Sequence, residues 1–320
     1  KKLNINFYEL DYRSRFEKTV LENFRREYRA GRTPNPCVRC NNRLKFGALL
    51  DTANAMEAEY VATGHYINKV WNGRSERYEL LKGSEEDDQS YFLFGLTQNQ
   101  LKRSLFPLDS ANKSEIRQYA LQYGLSSHNK PDSQDLCFLA GGEYRDLLKE
   151  KDPELFEPGP IVHVSGEVLG EHNGVGAYTM GQRKGLGIAW PERLYVVKID
   201  AENNKIVVGE SQHLMKERIT MGEVNWVSIP APSQKLRADI KIRYNHDGAF
   251  GTVEPMGAEN RVSIQFDRPQ RSPSPGQAAV FYDNDRLLGG GFIEKEKGRI
   301  IVKDSTDGVE SSIVIDRSRR

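Results

Sequence analysis

The feature that most limits what this chain can fold into is a change of periodicity around Pro153, Pro158 and Pro160. Before that stretch, apolar residues recur at helical spacing. Phe16, Val20, Phe24 and Tyr28 fall on one face of a predicted helix from Ser14 to Ala30, which ends at Gly31. Helices are also expected over 44–58, 97–104 and 112–123, with strands over Leu3–Leu10 and Tyr60–Thr63. Arg32-Thr33-Pro34-Asn35-Pro36 reads as non-helical, because each proline restricts the residue before it. After the prolines, short alternating runs separated by turn residues take over at 195–199, 205–208, 236–244, 250–254, 261–266, 278–282 and 288–293. The expected architecture is α/β followed by β. It comprises an α/β unit with a mostly parallel sheet over 1–150, a small central unit over 151–212, a β-barrel over 213–300 and a polar tail at 301–320.

At 320 residues the chain is too long for one ordinary core, which agrees with two or three units. It carries 46 basic and 45 acidic side chains, so net charge gives no sign of a nucleic-acid partner, and none against one if the charges segregate on the surface. No apolar run approaches the ~20 residues of a membrane span, and no signal peptide opens the sequence. With only three cysteines, reduced thiols in a cytoplasmic setting are the expectation.

Several groups of residues have chemistry to offer. Cys37 and Cys40 stand at C-x-x-C spacing, fit for a metal, a disulfide or a helix-end thiolate, and Arg32 and Arg39 nearby are expected to favour the thiolates. A tetrahedral zinc site lacks a second pair of ligands. Cys137 lies between Leu136 and Phe138, an address for a packed core thiol, but follows the polar Asp132-Ser133-Gln134-Asp135. Gly64 and His65 follow a predicted strand, where open α/β sheets collect ligands, although a surface histidine after a strand-ending glycine reads equally well. Gln89 offers a neutral donor and acceptor beside Tyr91-Phe92-Leu93, which is expected to enter the core. Gly181-Gln182-Arg183-Lys184-Gly185 sets two cations between glycines and could meet phosphates or form a plain hairpin rim.

Taken in order, these words resemble the tRNA-uridine 2-sulfurtransferases, also called tRNA-specific 2-thiouridylases. The likeness rests on Gly-Arg-Thr-Pro-Asn-Pro-x-x-x-Cys-Asn at 31–41, Ala-Thr-Gly-His-Tyr at 62–66 and Asp-Gln-Ser-Tyr-Phe-Leu at 88–93. It continues with Asp-Ser-Gln-Asp-x-Cys-Phe at 132–138, Gly-Gln-Arg-Lys-Gly-Leu-Gly-Ile at 181–188, Pro-Gly-Gln at 275–277 and Gly-Gly-Gly at 289–291.

The resemblance implies a Rossmann-like ATP-pyrophosphatase domain, with ATP and Mg²⁺ used to adenylate the 2-oxygen of the wobble uridine in tRNAs for Lys, Glu and Gln. Sulfur then displaces AMP. It implies Cys137 as the persulfide carrier and Cys40 as its partner, with a disulfide between them after turnover. It also implies a sulfur donor such as a cysteine desulfurase or a relay protein. By the same match Gly64 borders ATP and Asn35, Pro36 and Cys37 border the target base. His65, Asp87, Asp88, Gln89, Arg243, Tyr244 and Gln277 fall at tRNA contacts, with the uridine flipped from its stack.

Two departures follow. The family's Ser-Gly-Gly-x-Asp-Ser loop is absent from these residues, as expected if the chain starts downstream of it, and no P-loop word replaces it; the stretch given is then not expected to adenylate tRNA alone. Cys37 stands where many members have Asp. Cys37, Cys40 and Cys137 together form a ligand set that a [4Fe–4S] cluster with one open iron could use, beside the persulfide account. The readings from other classes are an RNA-binding protein with a structural cysteine metal site, and an amidating synthetase acting on a small molecule.

Overall fold

A computed structural model describes residues 3–84, 87–109, 111–129, 136–139, 141–257 and 260–295. Residues 132–135 and the 301–320 tail lie outside the described residues.

The first helical run covers 13–29 (Arg13–Phe16, Glu17–Leu21 and Glu22–Arg29) and buries the stripe its spacing predicts: Val20, Phe24 and Tyr28 are covered and Phe16 is half-covered. A second run begins at Pro36–Cys40 and continues through Asn41–Ala48 to Leu49–Ala55. The expected start at 44 is therefore corrected to 36. Pro36 is tolerated at the first helical position, whose N–H has no partner anyway, and the Asn35 side chain caps the Val38 N–H at 3.4 Å.

The expected strand over Leu3–Leu10 does not form. No described strand lies beside it to take its backbone hydrogen bonds, and Ile5, Phe7 and Tyr8 stand exposed.

Strand β1 (Val61–Ala62) is followed by a hairpin, β2 (Ile67–Asn72) and β3 (Arg77–Lys82). Strand β4 (Ser104–Leu105) then pairs parallel with β1. Short helices Gln98–Lys102 and Lys113–Gln122 carry capping boxes at Thr97/Gln100 and Asn112/Glu115. The central unit is a four-stranded sheet of β5 (Gly159–His163), β6 (Val168–His172), β7 (Tyr195–Asp200) and β8 (Lys205–Gly209), in the order β6-β5-β8-β7.

Six strands close the last unit: β9 (Met215–Trp226), β10 (Leu236–Lys241), β11 (Phe250–Pro255), β12 (Val262–Arg271), β13 (Ala278–Asp283) and β14 (Arg286–Ile293). The pairing β13–β14 completes the ring, so the six strands expose no open edge to each other. The hairpin β2–β3 leaves the α/β unit and extends this sheet, with Leu80 opposite Leu287.

Strand β13 explains its own unbroken apolar run. Ala279 and Phe281 fill the barrel, while Ala278, Val280 and Tyr282 face a second core with Tyr91, Leu93, Phe94 and Leu96. A strand buried on both faces need not alternate polar with apolar. Tyr91, Leu93, Phe94 and Leu96 are each at most 1% exposed, which is worth roughly 2 kcal/mol per side chain in burial. A third core joins Phe24 and Tyr28 of the first helix to Leu148 and the central sheet. Asp152, fully buried, ties the same helix down through Arg25 and Arg29.

Candidate functional site: three thiols beside a helix end

The Pro36–Cys40 turn presents Cys37 to solvent and leaves Cys40 half-covered, while Val38 between them is fully buried. Cys137 opens the short turn Cys137–Leu139. Its neighbour Phe138 meets Phe24 at 5.4 Å and Phe16 at 5.8 Å, so the helix over 13–29 anchors the turn that carries the third thiol. The packing address foreseen for this segment belongs to Phe138; Cys137 itself is exposed.

The thiols are close enough for their charges to interact. Cys37 is raised chiefly because protein atoms crowd the inner side of an otherwise open thiol, and the charges of Cys137 and Cys40 raise it further. Cys40 is raised by burial and by Cys137, against the pull of Lys45. None of the three is in a disulfide.

The expected thiolate-stabilising role of Arg32 and Arg39 is corrected by their pairing. Arg32 is held by Glu27 at 2.5 Å, while Arg39 grips both carboxylate oxygens of Glu223 at 2.6 and 2.7 Å and lies 4.0 Å over the Phe292 ring. Arg32 is thus neutralised by a carboxylate five residues before it and Arg39 by one far along the chain. Lys45, one helical turn or so beyond Cys40, is the cation that acts on both thiols. Nothing in the local motif singled it out; the i+5 spacing on a helix starting at Pro36 is the signal that was available. Lys45→Met should slow alkylation of Cys40 at pH 8 about threefold, measured by mass-resolved iodoacetamide labelling, because losing the cation raises the thiol further.

Among the described residues no group of three or more His, Cys, Asp or Glu side chains is arranged to hold a metal ion. The thiols converge without forming a cage, so the expected iron–sulfur ligand set gains no support from their placement, and no step below passes through it.

At the C-terminal end of β1, Gly64 has ordinary backbone and only Leu108 within 3.7 Å of where a Cβ would stand, which leaves its backbone open to a ligand. His65, far from being a surface histidine, is 8% exposed between Phe46 and Phe106, with Nδ1 2.9 Å from Thr63 Oγ1. Burial, helped by Lys45, lowers its pKa from 6.5 to about 4. A depressed histidine favours the fold fully above pH 6.5, and that contribution is lost as the pH falls towards 4, where the folded ring also protonates. The expected loss over this window is roughly 3 kcal/mol. Urea unfolding of His65→Asn, followed from pH 7 to 4, should lack most of that slope.

Other expected site residues are brought together with mainly local duties. Asn35 caps the cysteine helix and also bonds Tyr91. Asp88 accepts from Gly83 N, Ser90 N and Ser90 Oγ, and Asp87 pairs with Lys113 at 3.1 Å. Gln89 Oε1 accepts from Tyr66 N. Tyr244 stacks near Phe92, 4.7 Å between ring centres, and donates to Asp88 O. Gln277 donates to Thr33 O and Pro34 O, so the barrel holds the loop that leads into Pro36 and Cys37. Arg243 lines a cleft beside that contact.

Residues 1–141 match the family model for the tRNA methyl transferase HUP domain, 145–210 the tRNA methyl transferase PRC-barrel domain, and 216–293 the aminomethyltransferase beta-barrel domain. The chain is 44% identical over 299 residues to the tRNA-specific 2-thiouridylase MnmA of Symbiobacterium thermophilum, covering 92% of this chain and 76% of that protein. It is 48% identical over 292 residues to the enzyme of the same name from Syntrophotalea carbinolica, covering 91% and 82%. The chain belongs to the tRNA-specific 2-thiouridylase family.

Two of the thiols stand in the first turn of the 36–55 helical run, and Gly64 follows the end of β1. No helix among the described residues is long and apolar enough to cross a membrane.

Proposed function

We propose that this protein uses ATP and Mg²⁺ to adenylate the 2-oxygen of the wobble uridine in tRNAs for Lys, Glu and Gln, and then replaces that oxygen with sulfur. The observation that carries this reading is the convergence of Cys137 with the Cys37–Cys40 pair, remote from it in sequence, so that the thiols feel each other's charge beside a loop clamped by Gln277. Family membership supports the substrate; the thiols supply the means.

In this mechanism Cys137 carries a persulfide. Its terminal sulfur attacks C2 of the adenylated uridine, and the C2–O bond breaks as AMP leaves. The Cys40 thiolate then attacks the Cys137 Sγ, so that the Cys137 S–S bond breaks, the sulfur remains on C2, and a Cys40–Cys137 disulfide forms. A cellular dithiol reduces it, as suits a cytoplasmic enzyme. Adenylation is what makes the displacement feasible, by turning a poor oxygen leaving group into a good one. Gly64 gives the nucleotide close backbone approach, and Asn35, Pro36 and Cys37 border the base, which must leave its stack to reach the thiols. His65, Asp87, Asp88, Gln89, Tyr244, Arg243 and Gln277 form or brace the surface against the tRNA. The sulfur reaches Cys137 from a cysteine desulfurase or a relay protein.

A [4Fe–4S] cluster on the same three cysteines is the second account of the sulfur step, favoured only by the ligand count. The test is anaerobic incubation of the full-length protein with ATP, Mg²⁺, unmodified tRNA for Lys, Glu or Gln, and a sulfur source, followed by nucleoside mass spectrometry. ATP-dependent 2-thiouridine is the expected product. No product with persulfide, sulfide and iron each supplied in turn would overturn the assignment and bring the RNA-binding reading forward.

A further inference from the structure

An open cleft of about 320 Å³ lies where all three units meet. Thr33 comes from the loop before the cysteine helix, Thr179 and Gly181 from the central unit, and Arg243, Arg271 and Ser272 from the barrel. Among the described residues no carboxylate comes within 4 Å of its cations Arg243 and Arg271, or of Arg183 nearby.

Arg271 is nevertheless fixed. It donates to Ser211 Oγ at 2.7 Å and lies 4.7 Å over the Tyr195 ring, and Arg243 donates to its carbonyl at 3.4 Å. Tyr195 is lowered first by its bond to Arg271 and also by Arg183, which puts the third cation in the same neighbourhood. A pre-ordered guanidinium without a counter-ion is what binds an anion at least entropic cost.

The cleft wall carries a second sign of an absent partner. Ser272 holds φ near +52°, a left-handed conformation uncommon for serine, and its Oγ is shielded from solvent with no hydrogen bond among the described residues. Across from it Gly181 has φ +80°, and a Cβ there would come within 2.7 Å of the serine oxygen. The glycine thus lets the central unit's backbone close on the serine and shape the cleft.

We propose that this cleft binds a backbone phosphodiester of the RNA substrate, with Arg271 and Arg243 as paired cationic donors, Ser272 as a hydroxyl donor and Arg183 facing the adjacent phosphate. It rests on the reading of tRNA as substrate. The assignment adds the central unit to the RNA-binding surface and gives a reason for two of the cations in this cleft to lack carboxylate partners. A phosphate in the cleft would bridge three units and hold the loop at Thr33 in register, so the contact positions the RNA without reading its sequence.

The test is equilibrium binding of unmodified tRNA to the full-length protein over a salt series. Wild-type protein that fails to bind tRNA would defeat the substrate reading itself. With binding established, Arg271→Ala should weaken it about tenfold at physiological salt and flatten the slope of log K against log salt by about 0.7–0.9, the value of one phosphate contact. Arg271→Lys should restore the slope and only part of the affinity. Arg183→Ala, at an exposed position, should show the same flattening with an unchanged melting temperature, which guards against misfolding of the Arg271 variants. The loss should be equal for tRNAs of different sequence. Wild-type affinity and slope in both alanine variants would overturn the proposal.

Discussion

Cys137→Ser and Cys40→Ser each lose sulfur incorporation into tRNA by on the order of 10³-fold or more, while ATP-dependent pyrophosphate release with tRNA continues. One atom changes in each case. A serine hydroxyl cannot hold sulfane sulfur and ionises far above any thiol, so the exchanges remove the carrier and the resolving nucleophile of the proposed mechanism. Exposure of Cys137 and half-exposure of Cys40 mean that the exchange to oxygen leaves the core intact. The measurement is nucleoside mass spectrometry beside a pyrophosphate assay on the same samples. Continued thiolation by Cys137→Ser would sink the assignment of the carrier. Cys37→Asp separates the two sulfur accounts: activity within a few-fold of wild type is expected for persulfide chemistry, which needs only Cys40 and Cys137, and loss equal to that of Cys137→Ser would favour a cluster.

Gly290→Val is expected to damage the barrel severely, costing roughly 3 kcal/mol or more. A Cβ at 290 would stand 2.8 Å from Ala279 O and 2.9 Å from the Phe94 ring. One obstacle is ladder backbone and the other is a fully buried aromatic, so neither can yield cheaply. This strand and its neighbour β9 are where the α/β unit docks: Asn225 of β9, opposite Gly290, donates to Phe94 O at 2.7 Å and Leu96 O at 3.0 Å, and Phe292 of β14 supports Arg39. Prying this seam apart would also loosen the Gln277 clamp on the cysteine loop. Chemical denaturation checks the stability loss. Gly64→Ala is the control, with ordinary φ and only a 3.7 Å contact, and its midpoint should stay within about 0.5 kcal/mol of wild type. A tolerated Gly290→Val would mean that the two units are not packed as described.

Much of this architecture could be read along the chain because its causes are local. The 3.6-residue stripe of Phe16, Val20, Phe24 and Tyr28 gave a helix because one face had to be buried, and the alternating runs after 195 gave strands for the same reason at period two. The twelve-residue strand Met215–Trp226 escaped because Gly222 and the positive φ of Glu223 break its alternation halfway. Leu3–Leu10 misled in the opposite direction: its alternation satisfies the pattern, but a strand also needs a neighbour, and none stands beside it among the described residues.

The site divides along the same line. Sequence determined which atoms are present: three thiols, their order and a glycine after a strand, which with the ordered motifs around them were enough to indicate the family and its chemistry. Tertiary structure decided what those atoms experience. Arg39 lost its influence on the thiols to Glu223, Lys45 gained it, His65 was driven neutral between two phenylalanines, and Arg271 was bonded to Ser211 with no carboxylate beside it among the described residues. Charge and desolvation act through space over a few ångströms, and the groups that supply them range from Lys45, five residues beyond Cys40, to Glu223, 184 beyond Arg39. Spacing along the chain therefore identifies the reactive groups, and only the folded arrangement sets their charge, exposure and partners.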